Sequence, residues 1–364
     1  MNANTVFRPA DILLPDLSRI DGTRWATVAC DQYTSQPEYW AHLRDEIGDA
    51  PSTLRLMLPE IDLSQSDRLI PQIHRSMETA LDRWLVSYPD AMILLERTQA
   101  DGRVRRGIIG AVDLEAYDYR AGATSPIRAT EGTVLERIPP RVRIRRGAPL
   151  EMPHVMLLFD DPEKTVIDPL LPLRSSLPPL YDFELNGGGG HVRGYLLGAA
   201  EQSRLTQALG TLCRGQGDTP LLFAVGDGNH SLASAKAAYE EIKASLGDAA
   251  RSHPARYALA EIVNLHDPAL DFEPIYRVVF DVVPDDLIAG FSAFASASDG
   301  SAAPQEFRII TASGERKITV PHPRSRLPVA TLQSFLDSRS GLTVDYIHGE
   351  DTLRTLASRP GAVG

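Results

Sequence analysis

Four polar side chains of different chemistry lie within the six-residue segment GDGNHS, residues 226–231. They are a carboxylate, an amide, an imidazole and a hydroxyl: Asp227, Asn229, His230 and Ser231. A carboxylate can bind Mg²⁺, and an imidazole within hydrogen-bond reach of a substrate hydroxyl can accept its proton. These types and their spacing indicate a site for a polar ligand, with Asp227 as a candidate metal ligand and catalytic carboxylate and His230 as a candidate base.

A strand and a helix are predicted on either side of this segment. Residues 221–225 are a short apolar run, which is typical of a buried strand. Apolar residues then recur three or four positions apart, as on one helix face: Leu232, Ala235, Tyr239, Ile242 and Leu246. Such a strand–turn–helix unit directs the free N–H groups of the first helical turn toward one point, where the helix dipole favours an anion. We therefore expect phosphate to be held by Gly226, Gly228, Asn229, Ser231 and Lys236.

Helix capping is the alternative explanation for the same residues. Asp, Asn and Ser are the types that commonly cap a helix, and glycines permit tight backbone angles. Capping needs only one polar side chain, whereas this segment has four at a junction where α/β proteins often bind ligands. The cluster as a whole therefore favours a binding site, although each residue by itself fits either explanation.

The segment GDGNHSLASAK is similar to the signature of the domain of unknown function 1015 family, in which most members have a DGHHR-type turn and one branch has DGNHS. Matching phrases run along nearly the whole chain: ACDQYTSQPEYW, DAPSTLRLMLPE, ATEGTVLERIPPR, EMPHVMLLFDD and DYIHGE. The turn also resembles one in the ParB, sulfiredoxin and free-serine-kinase group, whose members bind nucleotides there. The resemblance implies nucleotide binding at the turn, and the serine-kinase likeness implies a small hydroxylated metabolite as the phosphate acceptor.

The chain departs from the family pattern at the last position of the turn. Ser231 stands where DGHHR has arginine, and arginine is the usual bidentate partner of phosphate. We hypothesise that Arg277, in the phrase DFEPIYRVVF, replaces it.

Residues 127–146 form a second polar segment. It contains Glu131, another candidate base, and arginines at 137, 141, 143, 145 and 146. Arg141, Arg143 and Arg145 alternate with apolar residues, which is the pattern of one strand face. Arg141 and Arg143 are therefore candidate phosphate ligands, and a solvated strand face paired with carboxylates is the alternative.

The polar loop of residues 31–35 is a candidate pocket wall, in which Asp31 is the residue to test. The alternative is an elaborate start to a helix that has Pro37 at its first position.

Composition restricts the partners. The 364 residues are 43% hydrophobic, enough for a large core or two domains, and the formal net charge is −11. An acidic chain is a poor binder of nucleic acid or anionic membrane. Two distant cysteines indicate a reducing compartment, and no apolar run approaches a membrane span. We expect a cytoplasmic protein whose partner is a small molecule or nucleotide.

Alternating strand and helix patterns predict a mixed α/β fold: mixed sheets with flanking helices and the strand–GDGNHS turn–helix unit at the centre. A boundary near residues 120–125 would separate an N-terminal α/β region, 1–122, from a C-terminal α/β region, 123–364. The expected function is that of a nucleotide-dependent, kinase-like phosphotransferase that uses Mg²⁺ with ATP or ADP. Two alternatives are a nucleotide-binding regulator without turnover and a metal-dependent hydrolase built on Asp227, His230 and Asp31.

Overall fold

The computed structural model describes residues 6–120, 122–130, 133, 135, 138–152, 155–214, 219, 221–270 and 275–364. The chain forms two compact units, Met1–Leu270 and Asp271–Gly364. Residues 120–125, where the sequence suggested a boundary, lie inside the first unit. No helix in the described ranges is long and apolar enough to cross a bilayer.

The first unit contains most of the strands. Its strands are β1 (Phe7–Arg8), β2 (Ala10–Pro15), β3 (Leu85–Ala91), β4 (Ile93–Thr98), β5 (Val104–Asp113), β6 (Tyr117–Asp118), β7 (Ile127–Arg128), β8 (Met156–Phe159), β9 (Pro179–Glu184), β10 (His191–Leu196), β11 (Phe223–Asp227) and β12 (Tyr257–Asn264). Its α-helices are α1 (Gly22–Trp25), α2 (Pro37–Ile47), α3 (Ser66–Arg83), α4 (Ile138–Arg145), α5 (Ala199–Arg214) and α6 (Asn229–Leu246). Short 3₁₀ helices connect several of them, and one of these, Glu60–Gln65, borders the site described below.

A large mixed sheet organises this unit. Its strand order is β6-β7-β11-β8-β12-β5-β4-β10-β9, and β1 pairs with β5. β11 lies parallel to β7 and antiparallel to β8. Phe223 and Val225 of β11 and Leu232 and Tyr239 of α6 are fully buried in the same core. The prediction of a mixed α/β fold around the strand–turn–helix unit is confirmed.

The second unit combines two antiparallel strand pairs with three helices in its described part. Its elements are β13 (Ile275–Phe280), α7 (Pro284–Ala297), β14 (Gln305–Thr311), β15 (Gly314–Val320), α8 (Pro328–Asp337), β16 (Thr343–His348) and α9 (Glu350–Ala357). β13 pairs with β16, and β14 pairs with β15. Val363 exchanges two backbone hydrogen bonds with Val279 of β13, while Gly364 exchanges two with Ile310 of β14. Residues 363 and 364 therefore link the two strand pairs.

The strand predicted for the alternating arginines was wrong, because residues 138–145 form the helix α4. Pro139 and Pro140 lie in its first turn, where a missing N–H and a fixed φ are tolerated. Ile138 and Val142, four residues apart, pack with Ala233 of α6. Burial of this i, i+4 pair selects the helix over the strand that the local alternation suggested.

Candidate functional site

Two glycines shape the turn between β11 and α6. Gly228 precedes the helix with φ 81° and ψ 30°, in the left-handed region that costs other residues about 1–2 kcal/mol. A Cβ at Gly226 would lie 2.8 Å from Cγ of Leu158. The sequence therefore needs glycine at both positions, one for its backbone angles and one for space.

The polar residues of the turn lie at the beginning of α6. Asn229 and Ser231 are buried, at 6% and 4% exposure, while His230 is half-buried and Asp227 is exposed. The Asp227 Oδ1 atom accepts a hydrogen bond from Gly228 N at 2.7 Å. The N-cap residue of α6 is Gly228, which has no side chain that could accept hydrogen bonds from the first-turn N–H groups.

Arg145, the last residue of α4, reaches this first turn. Its Nη2 atom lies 3.2 Å from both the carbonyl oxygen and Oγ of Ser231. Its Nη1 atom pairs with Glu151 Oε1 at 2.5 Å. A guanidinium from the neighbouring helix thus contacts the residue that stands at the arginine position of the DGHHR pattern.

Arg141 lies one helical turn before Arg145. It is 9% exposed, and its guanidinium forms an ion pair with Glu60. The backbone N–H of Glu60 donates to the carbonyl of Cys30 at 2.8 Å, which joins the loop after Cys30 to this wall of the site. Burial lowers the pKa of Arg141, whereas nearby Cys30 and Asp31 favour its charged form.

The Cys30 thiol is an acid whose pKa is shifted by this cluster. Burial, and then the Asp31 carboxylate, raise its pKa to about 11, while Arg141 and Arg145 act in the opposite direction. At neutral pH the thiol is therefore protonated. The structure thus brings Asp31 close to Cys30 and Arg141, and its role as a pocket wall stays a prediction.

Other predicted residues lie elsewhere. Arg143 pairs with Asp67 on α3 at the surface. Lys236 Nζ lies 2.7 Å from Glu240 Oε1, and its charge helps to lower the pKa of Glu115 and of Asp118. Its ammonium therefore interacts with carboxylates of the same helix and of the segment around residues 115–118.

Arg277 belongs to the second unit. Its guanidinium lies 4.9 Å from the centre of the Tyr346 ring, and its replacement of the arginine missing from the turn stays a prediction. Glu131, the second candidate base, lies outside the described residues.

The candidate magnesium ligand is a single carboxylate. Within the described ranges, no three His, Cys, Asp or Glu residues converge in a way that could hold a metal ion. Mg²⁺ bound with a nucleotide commonly takes only one or two carboxylates, together with phosphate oxygens and water. The exposed Asp227 carboxylate fits that arrangement.

Comparison of the chain with known protein families identifies its family. The family described as Protein of unknown function (DUF1015) matches residues 15–339. The chain belongs to this family. No curated protein and no solved structure matches the chain. The DUF1015 match includes the turn, α4 and the loop after Cys30, and thus every residue of the cluster.

Sequence reasoning missed Arg145, Glu60 and Cys30 as members of the cluster. Arg141 and Arg145 are four residues apart, so a helical interpretation would have put both on one face. No signal in the sequence connects Glu60 or Cys30 with Arg141, since both reach it only through the tertiary fold.

Proposed function

We propose that this DUF1015 protein is a cytoplasmic, nucleotide-dependent phosphotransferase. It binds ATP or ADP with the phosphates at residues 226–231 and transfers phosphate to a small hydroxylated metabolite. The observation that carries this proposal is the Arg145 guanidinium, 3.2 Å from Ser231 at the N-terminus of α6.

The electrostatics of this contact favour an anion. The N-terminus of a helix carries a partial positive charge, and a cation placed there costs about 0.3–1 kcal/mol. A phosphate beside Arg145 would reverse the sign of that interaction, because both the guanidinium and the first-turn N–H groups attract it. Glu151 forms an ion pair with Nη1 of Arg145, whereas Nη2 of the same guanidinium donates to Ser231 in the first turn of α6.

Each side chain then has a defined role. Arg145 binds phosphate in place of the arginine of the DGHHR pattern, and the N–H groups of the first turn of α6 share the negative charge. Asp227 would hold Mg²⁺, which supplies further charge neutralisation. His230, in the same turn, accepts the proton of the acceptor hydroxyl, as phosphoryl transfer relies mainly on positioning and charge.

The first experiment is thermal unfolding with ATP, ADP, CTP and GTP, each with and without Mg²⁺, for the wild type and Asp227→Ala. A nucleotide at about 100 times its Kd adds about 2.7 kcal/mol, which raises the midpoint by several degrees. We expect a Mg²⁺-dependent increase in the wild type that Asp227→Ala loses. No increase with any nucleotide would overturn the proposal.

Turnover distinguishes the enzyme from its alternatives. Transfer of phosphate to a hydroxyl acceptor supports the phosphotransferase, whereas stabilisation without product supports a nucleotide-binding regulator. Activity that requires a transition metal but no nucleotide supports a hydrolase that uses Asp227, His230 and Asp31.

A further inference from the structure

A cavity of about 560 Å³ lies between α2, α3 and the segment that connects them. Its volume is within the range of small-molecule sites. Residues 226–231 and α4 do not contribute to its lining, so it is separate from the site described above. Its apolar surface comes from six residues of the first unit: Ile47, Leu54, Met57, Leu58, Leu69 and Ile73.

Three arginines line the same cavity, but only one of them is neutralised by a carboxylate. Arg44 Nη2 lies 2.5 Å from Asp62 Oδ2. Arg55 donates to the backbone carbonyls of residues 48 and 50, and Arg68 donates to the side-chain amide oxygen of Gln65. Within the described part of the chain, Arg55 and Arg68 therefore have neutral hydrogen-bond partners, and no carboxylate forms an ion pair with either of them.

This combination selects a ligand class. Two uncompensated guanidiniums in a protein of net charge −11 form a local positive region that attracts an anion. The apolar lining beside them gains free energy by removing hydrocarbon from water. A simple inorganic anion uses only the first feature, and a neutral apolar molecule only the second.

We propose that this cavity binds a small organic anion with an apolar chain, of the medium-chain carboxylate type. The carboxylate contacts Arg55 and Arg68, and the chain lies on the apolar residues of α2, α3 and the segment between them. This site is independent of the proposed phosphotransferase site.

Titration calorimetry with octanoate tests the proposal on the whole protein. Octylammonium has an apolar chain of nearly the same length with the opposite charge, and acetate has the charge without the chain. We expect octanoate to bind and both controls to bind at least about tenfold more weakly. In the series butyrate, hexanoate and octanoate, each buried methylene should tighten binding about fourfold.

Variants locate the binding. Arg55→Gln and Arg68→Gln should each weaken octanoate binding about tenfold, the size expected for a charge-assisted hydrogen bond. Arg75→Gln is the matched control, because Arg75 is exposed on the same helix as Arg68 but does not line the cavity. Arg145→Gln should also leave the affinity unchanged, which separates this cavity from the turn.

Two results would overturn the proposal. Octylammonium binding as tightly as octanoate would show that charge does not select the ligand. An unchanged octanoate affinity in the double variant Arg55→Gln/Arg68→Gln would place the anion elsewhere.

Discussion

The two sides of α4 carry the same residue type in opposite environments. Arg141 and Arg145 face the interior, with side chains 10% and 18% exposed. Arg143 and Arg146, the residue that follows α4, face solvent at 47% and 60% and pair with exposed carboxylates of α3 and α6. Four arginines within six residues thus divide into a largely buried pair, of which Arg145 contacts the turn, and an exposed pair at the surface.

The difference shows that burial, rather than residue type, decides how much an arginine contributes to the stability of the fold. An exposed ion pair is solvated in both the folded and the unfolded state, so its net stabilisation is small. A buried guanidinium has lost its water and depends on its protein partners. The five predictions below test this contrast, from the largest expected effect to the smallest.

Arg141→Ala should have the largest effect. Removal of the guanidinium leaves Glu60, whose side chain is 13% exposed, without its cationic partner in a low-dielectric environment. We expect the free energy of unfolding to fall by about 3 kcal/mol, measured by urea denaturation. The double variant Arg141→Met/Glu60→Leu should lose less, because neither charge of the pair is left without its partner. If Arg141→Ala lowered the free energy of unfolding no more than substitution of Arg143 or Arg146, the contrast between buried and exposed arginines would be wrong.

Arg145→Gln should affect ligand binding more than folding. If the guanidinium contacts phosphate, its loss should weaken nucleotide affinity at least tenfold, as for a charge-assisted hydrogen bond. At a nucleotide concentration of about 100 times the wild-type Kd, stabilisation should fall from about 2.7 to about 1.4 kcal/mol or less. Thermal unfolding measures this, with Arg143→Gln as the control. Equal stabilisation in both variants would remove Arg145 from the phosphate site.

The alkylation rate of the Cys30 thiol, measured as a function of pH, tests the environment on the interior side of α4. Its pKa of about 11 keeps it neutral at pH 8, so alkylation by iodoacetamide should be about a hundredfold slower than for a free cysteine. The rate should rise as the pH approaches 11. Arg141→Gln removes a charge that lowers this pKa and should slow the reaction further, whereas Arg143→Gln should not. A Cys213→Ser background isolates the Cys30 signal, and fast alkylation at pH 8 would contradict the assignment.

The same shift predicts how stability depends on pH. The folded-state pKa of Cys30 lies above its ordinary value of 9.0, so unfolding releases a proton between pH 9 and about 11. This group therefore contributes a stability that falls as the pH rises through that window. Cys30→Ser should lack this component, which denaturation at pH 8 and pH 10 can measure.

The smallest effects belong to the exposed pair. Arg143→Gln and Arg146→Gln should each change the free energy of unfolding by at most about 0.5 kcal/mol, as is usual for solvated ion pairs, and leave nucleotide stabilisation unchanged. Urea denaturation of both variants beside Arg141→Ala completes the comparison. If either variant lowered the free energy of unfolding as much as Arg141→Ala, the surface ion pairs would be what holds α4 in place.

Local patterns predicted the central unit of the fold well. The apolar run that ends near Val225 is β11, and the helical spacing from Leu232 to Leu246 is α6. Pro37 begins α2 as expected from its fixed φ. These elements depend on interactions between residues close in sequence, which a pattern can record.

Contacts between distant segments could not be predicted in this way. Glu60 reaches Arg141 across 81 residues, and Arg145 reaches Ser231 across 86. The spacing of the arginines fits both a strand and a helix, so the local pattern leaves their directions open. The roles of Asp227, His230 and Lys236 in catalysis or binding stay predictions.

The sequence by itself determined that a buried strand leads through a glycine-containing turn into a helix, because the apolar run, the glycine at position 228 and the helical spacing each act over a few neighbouring residues. Tertiary structure alone decided which charges surround that turn. Packing of Ile138 and Val142 on α6 folds residues 138–145 into a helix, and the helical repeat then turns Arg141 and Arg145 inward and Arg143 outward. The directions of these charges therefore depend on a buried apolar contact with α6. Because α6 is distant in sequence, no local pattern records that contact.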